Sequence, residues 1–179
     1  MPHEQPHLLT LERPIKTLDQ KGGTGVYRIK TQDKNTVSIL KKWTRNETRM
    51  ILAQEFMAST PKARDKRITL LDGKIFWSFE KRAAGKEFRT NLDRGGTAFR
   101  VPITRQENQL IEEMRPYLKS EGLHLVGLDL IEGKLIDFNV TCPGGFAYAI
   151  PLYPKQKLIA SWADFLEDQV SGFAKRLTS

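Results

Sequence analysis

The chain has a single cysteine, Cys142, so no disulfide can form within it and a fold stapled by bridges is excluded. Its three histidines, His3, His7 and His124, are scattered, which leaves no His/Cys spacing of the kind that holds zinc. No Ser/His/Asp or Cys/His set suggests a side-chain nucleophile. No apolar run approaches the ~20 residues a membrane-spanning helix needs, so no membrane partner is expected. Met1-Pro-His-Glu-Gln lacks the basic start and apolar core of a signal peptide; with the lone thiol, this reads as a cytoplasmic protein. Acidic residues are the minority charge, 21 against 29 Lys and Arg, giving a formal net charge of +8. An anionic ligand follows, whether nucleotide phosphate, nucleic acid or acidic peptide.

What is present fits one domain or two small lobes in 179 residues. Residues 12–31 read as a strand, a glycine turn and a second strand. A short helix is expected at about 35–46 and a buried strand over 49–57. Ile68–Leu71 and Lys74–Phe79 flank Asp72-Gly73, a strong two-residue hairpin signal. Thr104 and Glu107 form a capping box that opens a helix with Leu110, Ile111, Met114 and Leu118 on one stripe. Pro116 inside that stripe should kink it or move its end. A last helix, about 156–177, places Leu158, Ile159, Trp162, Phe165, Leu166, Phe173 and Leu177 on an apolar face expected in the core. Hairpins interleaved with helices predict an α+β fold with mainly antiparallel sheets and flanking helices.

The segment from Val126 to Val140 carries the chemistry. Read as a hairpin with a three-residue loop at Glu132-Gly133-Lys134, it sets Leu128 opposite Phe138 and Leu130 opposite Ile136 on one face. The other face then carries Asp129 opposite Asp137, with Asn139 two residues on. A two-residue loop would set Leu128 against Asp137 and mix the faces. Two carboxylates and an amide oxygen on one sheet face suit Mg²⁺. A solvated polar face is the equally simple alternative. Asp19-Gln-Lys-Gly-Gly-Thr-Gly25 could wrap amides around phosphate, but it lacks Walker spacing and reads as well as a plain turn. Asn91 to Thr97, with Gly95 and Gly96, is a second polar glycine turn following Lys81, Arg82, Lys86 and Arg89.

Several blocks together resemble the ATP-grasp half of bacterial glutathione synthetases. They are Pro14-Ile-Lys-Thr-Leu-Asp-x-x-Gly-Gly-Thr24, Ala53-Gln54, Asp65-Lys-Arg67, Glu87-Phe-Arg-Thr-Asn-Leu92 with Gly95-Gly96, Val126-Gly-Leu-Asp129 and Asn139-Val-Thr-x-Pro143. The resemblance runs from about Arg13 to Gly145. It implies a partial ATP-grasp fold: residues 1–12 as an extension, 13–57 as part of the small subdomain and hinge, and 58–179 as the C-terminal subdomain with the Mg-ATP site.

The same resemblance implies roles. Lys16 would contact the ATP phosphates under a flap of Gly22, Gly23 and Thr24. Gln54, Glu55, Phe56 and Met57 would line the adenine. Asp65, Asn91, Gly95 and Gly96 would lie around nucleotide and substrate. Arg67 and Arg89 would neutralise charge at the reacting groups, and Thr141 to Gly145 would form a substrate loop. Asp129, Asp137 and Asn139 would hold Mg²⁺, with Asp137 where the family has Glu; Lys81 stands where it has Arg. The implied activity is Mg-ATP-dependent ligation of a small-molecule or peptide carboxylate to an amine through an acyl phosphate. The resemblance covers only the C-terminal part of the family, without its N-terminal substrate lobe, as expected of a shortened protein, a separately encoded half or a fragment. The chain would act alone, as a homo-oligomer, or with a partner that supplies that lobe. Two other readings stay open: an ATP-binding remnant or regulatory subunit without ligase activity, and a small basic nucleic-acid-binding domain. The last lacks any stacking or groove-reading motif.

Overall fold

The computed structural model describes residues 12–18, 25–30, 33–55, 57, 65–82, 92 and 96–177. The chain divides into two compact units, Met1–Pro61 and Lys62–Ser179.

The first unit is built on three antiparallel strands, β1 (Glu12–Thr17), β2 (Val26–Lys30) and β3 (Ile51–Ala53), in the order β2-β1-β3. Alternation along β1 buries Ile15 and Thr17 and leaves Lys16 half-buried on the opposite side. Helix α1 (Thr36–Trp43) agrees with the helix expected there. Its Trp43 packs on Tyr27 of β2 with ring centroids 4.1 Å apart. Arg45, Asn46 and Glu47 all adopt positive φ, so the chain leaves the helix abruptly. The strand expected over 49–57 is only Ile51–Ala53, and it is not buried: Met50 is 79% and Leu52 41% exposed. Among the described residues β3 is an edge strand with a neighbour on one side, so apolar sequence there does not imply burial.

The second unit carries a five-stranded sheet ordered β6-β5-β4-β7-β8, antiparallel at every pairing. Its strands are β4 (Asp65–Leu71), β5 (Lys74–Arg82), β6 (Thr97–Arg100), β7 (Leu125–Ile131) and β8 (Lys134–Asn139). Hairpins β4–β5 and β7–β8 share one construction. Each turns on two residues with positive φ, Asp72-Gly73 at 50° and 71° and Glu132-Gly133 at 50° and 76°. This is the left-handed pair that a type I′ turn requires. Each then carries a bulge two pairs from the turn, with Phe76 extra on β5 and Ile136 extra on β8. The turn at 132–134 is therefore a two-residue turn plus bulge, not a three-residue loop. Leu130 faces Leu135 rather than Ile136, while Asp129 does face Asp137 and Leu128 faces Phe138. The bulge restores the alternation that an uninterrupted two-residue hairpin would have inverted.

Helix α2 (Arg105–Ser120) covers one face of this sheet. Ile111 and Leu118 bury against Ile68, Leu70, Val126, Leu128 and Leu130. The capping box forms as expected: Thr104 Oγ1 accepts from the Glu107 N–H, and the Glu107 carboxylate accepts from the Thr104 N–H. Helix α2 runs through Pro116 to Ser120, so the proline neither ends it nor shifts its boundary there. Glu107 also receives Lys66 Nζ at 2.5 Å, and Lys66 donates to the Pro102 carbonyl at 2.6 Å. Burial opposes the Glu107 charge, but the hydrogen bonds from Lys66 and Thr104, with the positive field of Lys66, together outweigh it and hold the carboxyl below its ordinary value. Glu107→Gln keeps the cap's shape and removes the counter-charge of a buried lysine. It is expected to lower stability by about 1–2 kcal/mol, read as a lower urea midpoint at unchanged slope.

The other face is half aromatic. Helix α3 (Phe146–Leu152) lies over Trp77 and Phe79, with Ala149, Tyr153 and Leu158 completing a buried cluster. Tyr153 Oη accepts from the Ser78 N–H at 3.2 Å and donates to the Ser78 carbonyl at 2.7 Å, tying the end of α3 to the backbone of β5. Helix α4 (Leu158–Leu177) buries only its first turn. Ile159, Leu166 and Phe173, expected in the core, are 55%, 43% and 57% exposed. Trp162 and Phe165 are half-buried, and the side chain of Leu177 lies outside the described residues. The expectation fails because α4 extends past the sheet, so its apolar stripe has no layer beneath it among the described residues.

Candidate functional site

Strand register assembles the site. One row crosses all five strands: Arg100, Phe79, Arg67, Asp129 and Asp137. A neighbouring row places Lys81 opposite Asp65, and the row on the other side places Gly127 opposite Asn139. All these residues share the face that carries α3, away from α2, because alternate residues of a strand share a face.

The centre is Asp129, 6% exposed. Arg67 holds it bidentately, Nε to Oδ1 at 2.6 Å and Nη2 to Oδ2 at 2.7 Å. Lys81 Nζ lies 2.8 Å from Asp129 Oδ1 and 2.8 Å from Asp65 Oδ1, so it bridges two carboxylates. Burial by itself would push the Asp129 carboxyl up. The hydrogen bond from Arg67, with the positive fields of Lys81 and Arg67, outweighs that and holds it at about 2. Burial likewise works against the Arg67 charge, but its hydrogen bond to Asp129 and the fields of Asp129, Asp65 and Asp137 prevail and keep it above its ordinary value. The third limb of the guanidinium, Nη1, donates to the Pro143 carbonyl in the loop that precedes α3.

The donors on this face fit a magnesium ion. Asp129 Oδ1 accepts from both Arg67 and Lys81. Its Oδ2 takes one strong bond from Arg67 and a long contact, 3.4 Å, from Asn139 Nδ2, leaving acceptor capacity. Asp137 is exposed beside it, and its Oδ1 accepts from the Phe138 N–H at 3.1 Å. A flip of the Asn139 amide would present oxygen in place of nitrogen. Among the described residues no three of His, Cys, Asp and Glu stand close enough to hold a cation by themselves. Water and phosphate oxygens would complete the shell, as is usual for magnesium.

The sequence-expected residues separate into three sets. Asp65, Arg67, Asp129, Asp137 and Asn139 come together on this face. Gly96 lies on the same unit, directly before β6. Lys16 lies on β1 of the first unit, where Gln54 continues beyond β3 with its N–H donating to the Pro14 carbonyl at 3.1 Å, followed by Glu55 and Met57. Gly22, Gly23, Thr24, Phe56, Arg89, Asn91 and Gly95 lie outside the described residues. Two participants escaped sequence reasoning. In the sequence Lys81 is one member of a cationic run and stands where the family has Arg; in the fold it bridges Asp65 and Asp129. Gly127 has no side chain to announce itself, but a Cβ there would stand 3.1 Å from Arg67 Nη1 and 3.2 Å from the Pro143 carbonyl oxygen. The Lys81 signal was available only through the bulge at Phe76: without it Asp65 would face Glu80.

The architecture is that of the ATP-grasp proteins. The D-alanine–D-alanine ligase of Bacillus anthracis, solved in complex with ATP, matches 84% of this chain and 48% of its own at a TM-score of 0.53 and 14% identity, a likeness of fold. Within that class the chain belongs to the family described as prokaryotic glutathione synthetase, ATP-grasp domain, which matches residues 11–150. Among its relatives, the glutathione synthetase of Nitrosomonas europaea is 38% identical over 132 residues, 73% of this chain and 41% of that protein. The glutathione synthetase of Yersinia pestis is 30% identical over 158 residues, 88% of this chain and 49% of that protein. The chain thus spans two-fifths to half the length of these relatives. Among the described residues no helix is long and apolar enough to cross a membrane.

Proposed function

We propose that this chain carries the Mg-ATP half of a carboxylate–amine ligase of glutathione-synthetase type. The observation that supports it most is the charge cluster on one sheet face, with Arg67 and Lys81 gripping buried Asp129 beside Asp137 and Asn139. A solvated polar face would expose Asp129; here it is 6% exposed and takes two cations.

In this reading Asp129, Asp137 and Asn139 hold magnesium, which when bound neutralises phosphate charge. A substrate carboxylate oxygen forms a bond to the γ-phosphorus of ATP as the bond to ADP breaks. An amine then adds to the resulting acyl phosphate and expels inorganic phosphate, leaving an amide. The chain's own contribution is positioning and charge. Lys81 keeps Asp65 and Asp129 from repelling each other, and Arg67 fixes the plane of the Asp129 carboxylate. Lys16 and the stretch Gln54–Met57 on the first unit, with Gly22, Gly23 and Thr24, are assigned to the phosphates and base. Arg89, Asn91, Gly95 and Gly96 are assigned to substrate and phosphate. Arg67 has its fork engaged by Asp129 and Pro143, which favours orientation of the site over direct contact with the transferred phosphoryl group.

The second reading is nucleotide binding without ligation, which the same charged face would serve equally well. Calorimetric titration with a non-hydrolysable ATP analogue tests the shared part of both. Binding that requires Mg²⁺ is expected, with the Mg²⁺-dependent component lost in Asp129→Asn. Absence of heat and of thermal stabilisation at millimolar nucleotide would reject both. ADP release with a dipeptide and glycine then separates turnover from binding.

A further inference from the structure

Pro143 is buried, whereas Cys142 and Gly144 on either side of it are exposed. The loop leading to α3 is therefore pinned at one residue. Its two following glycines, Gly144 and Gly145, take positive φ of 55° and 97°, so the backbone turns sharply just after the pin. What reaches the Pro143 carbonyl is Arg67 Nη1, the one limb of the guanidinium that does not touch Asp129. A rigid planar fork thus joins the carboxylate to the loop: rotating the plane that grips Asp129 must move Nη1.

Gly127 makes this crossing available. It lies two residues before Asp129 on β7, and a Cβ there would meet Arg67 Nη1 at 3.1 Å, the Pro143 oxygen at 3.2 Å and Pro143 Cβ at 3.3 Å. These separations are tighter than ordinary van der Waals contact, so a methyl group would wedge the guanidinium and the loop apart. Gly127 has ordinary strand geometry, so its missing side chain serves the close approach and not an unusual φ.

From this we infer that Arg67 is a positioning residue that couples the loop at 142–145 to the state of the Asp129 carboxylate. Its functional meaning rests on the reading of Asp129 as a magnesium ligand. A cation using the remaining capacity of Asp129 Oδ2 draws electron density from that oxygen and weakens its bond to Arg67 Nη2, and the rigid fork passes the change to Pro143. The loop then adopts one arrangement over an occupied site and another over an empty one.

The chain's single cysteine supplies the probe. Cys142 is exposed and adjoins the pinned residue, so a nitroxide attached to it reports the loop's local motion. In the whole chain without metal, an immobilised spectral component is expected. Arg67→Met, Asp129→Asn and Gly127→Ala should each convert it to a mobile one, with near-ultraviolet circular dichroism confirming that the fold persists. The double variant Arg67→Met/Asp129→Asn should be no more mobile than either single variant, since both cut the same link. Gly127→Ala changes no charge and carries the test by itself if Arg67→Met does not fold. A wild-type spectrum in Gly127→Ala, or full additivity in the double variant, overturns the inference. Adding Mg²⁺ with the ATP analogue should shift the wild-type spectrum and leave Arg67→Met unmoved. If calorimetry shows no nucleotide binding while the variants still free the loop, the nucleotide reading fails and the coupling stands. If nucleotide binds and the wild-type spectrum does not change, the coupling to Asp129 is refuted.

Discussion

Arg67→Met is expected to destabilise the second unit by about 3–5 kcal/mol at neutral pH, the usual cost of stripping one partner from a buried ion pair. Methionine keeps much of the stem's volume, so the loss is electrostatic rather than a cavity. Asp129, 6% exposed, would be left, among the described residues, with Lys81 as its one paired cation, already shared with Asp65, and the Pro143 carbonyl would lose the Arg67 donor. Lys81 keeps the value toward the lower end of that range. The pH dependence gives an independent check. The folded Asp129 carboxyl sits at about 2, below its ordinary 3.8. A depressed carboxyl contributes stability that is fully present above its ordinary value and is lost as pH falls through the folded one. The wild type should therefore lose about 2 kcal/mol from this group between pH 4 and pH 2. In Arg67→Met the depression shrinks, so that acid-side loss shrinks with it. Urea unfolding across this window measures both; an unaltered acid slope in the variant would show that Arg67 does not hold the carboxylate.

Trp77→Ala should cost a similar ~3–5 kcal/mol, for a different reason: a large buried ring leaves a cavity that its neighbours cannot fill. Trp77 is 1% exposed, with Phe146 edge-on at 4.5 Å and Phe76 at 4.4 Å between ring centroids. It is the layer on which α3 rests, and the loop at 142–145 enters α3 directly. A Cβ on Gly145 would stand 3.7 Å from Trp77 Nε1, so the indole also supports the loop's far end. That indole N–H is buried and finds no acceptor among the described residues. Trp77→Phe removes the unsatisfied donor along with some volume, and is expected to cost about 1 kcal/mol or less. Chemical denaturation of the two variants distinguishes packing from hydrogen bonding at this position. Equal losses in both would mean that the indole N–H has an acceptor after all.

The hairpins show how much of the site was legible beforehand. Asp72-Gly73 announced its turn, and alternation from Leu128 to Phe138 put Asp129 opposite Asp137 on one face. Cross-strand alternation is a local property with a period of two, and sequence displays it directly. The assumed three-residue loop reached that pairing by a different route. In the fold the turn takes two residues and Ile136 supplies the offset. Lys81 was harder to place. In an unbulged hairpin Asp65 would face Glu80 and the two acids would repel; the extra Phe76 sets Asp65 opposite Lys81 instead. A bulge has no sequence signature comparable to a glycine turn, because its position is chosen by what the two faces must pack against.

Burial was legible for helices over a sheet and not elsewhere. The stripe of α2 meets β4 and β7 as read, whereas the equally apolar stripe of α4 stays exposed beyond its first turn. Periodicity reveals that a helix has an apolar side, but not whether another layer of this chain lies under it.

Sequence by itself determined the alternating strands, the two glycine turns, the capping box, the positive charge balance and the set of acids able to attract a cation. Apart from the charge balance, a sum over the whole chain, each depends on neighbours a few residues apart. Tertiary structure alone decided that Arg67 and Lys81 close on Asp129, that a proline carbonyl fourteen residues beyond Asp129 completes the fork, and that Gly127 leaves room for the crossing. Those contacts depend on strand order and on two one-residue register shifts, which are settled only when both faces of the sheet are packed at once.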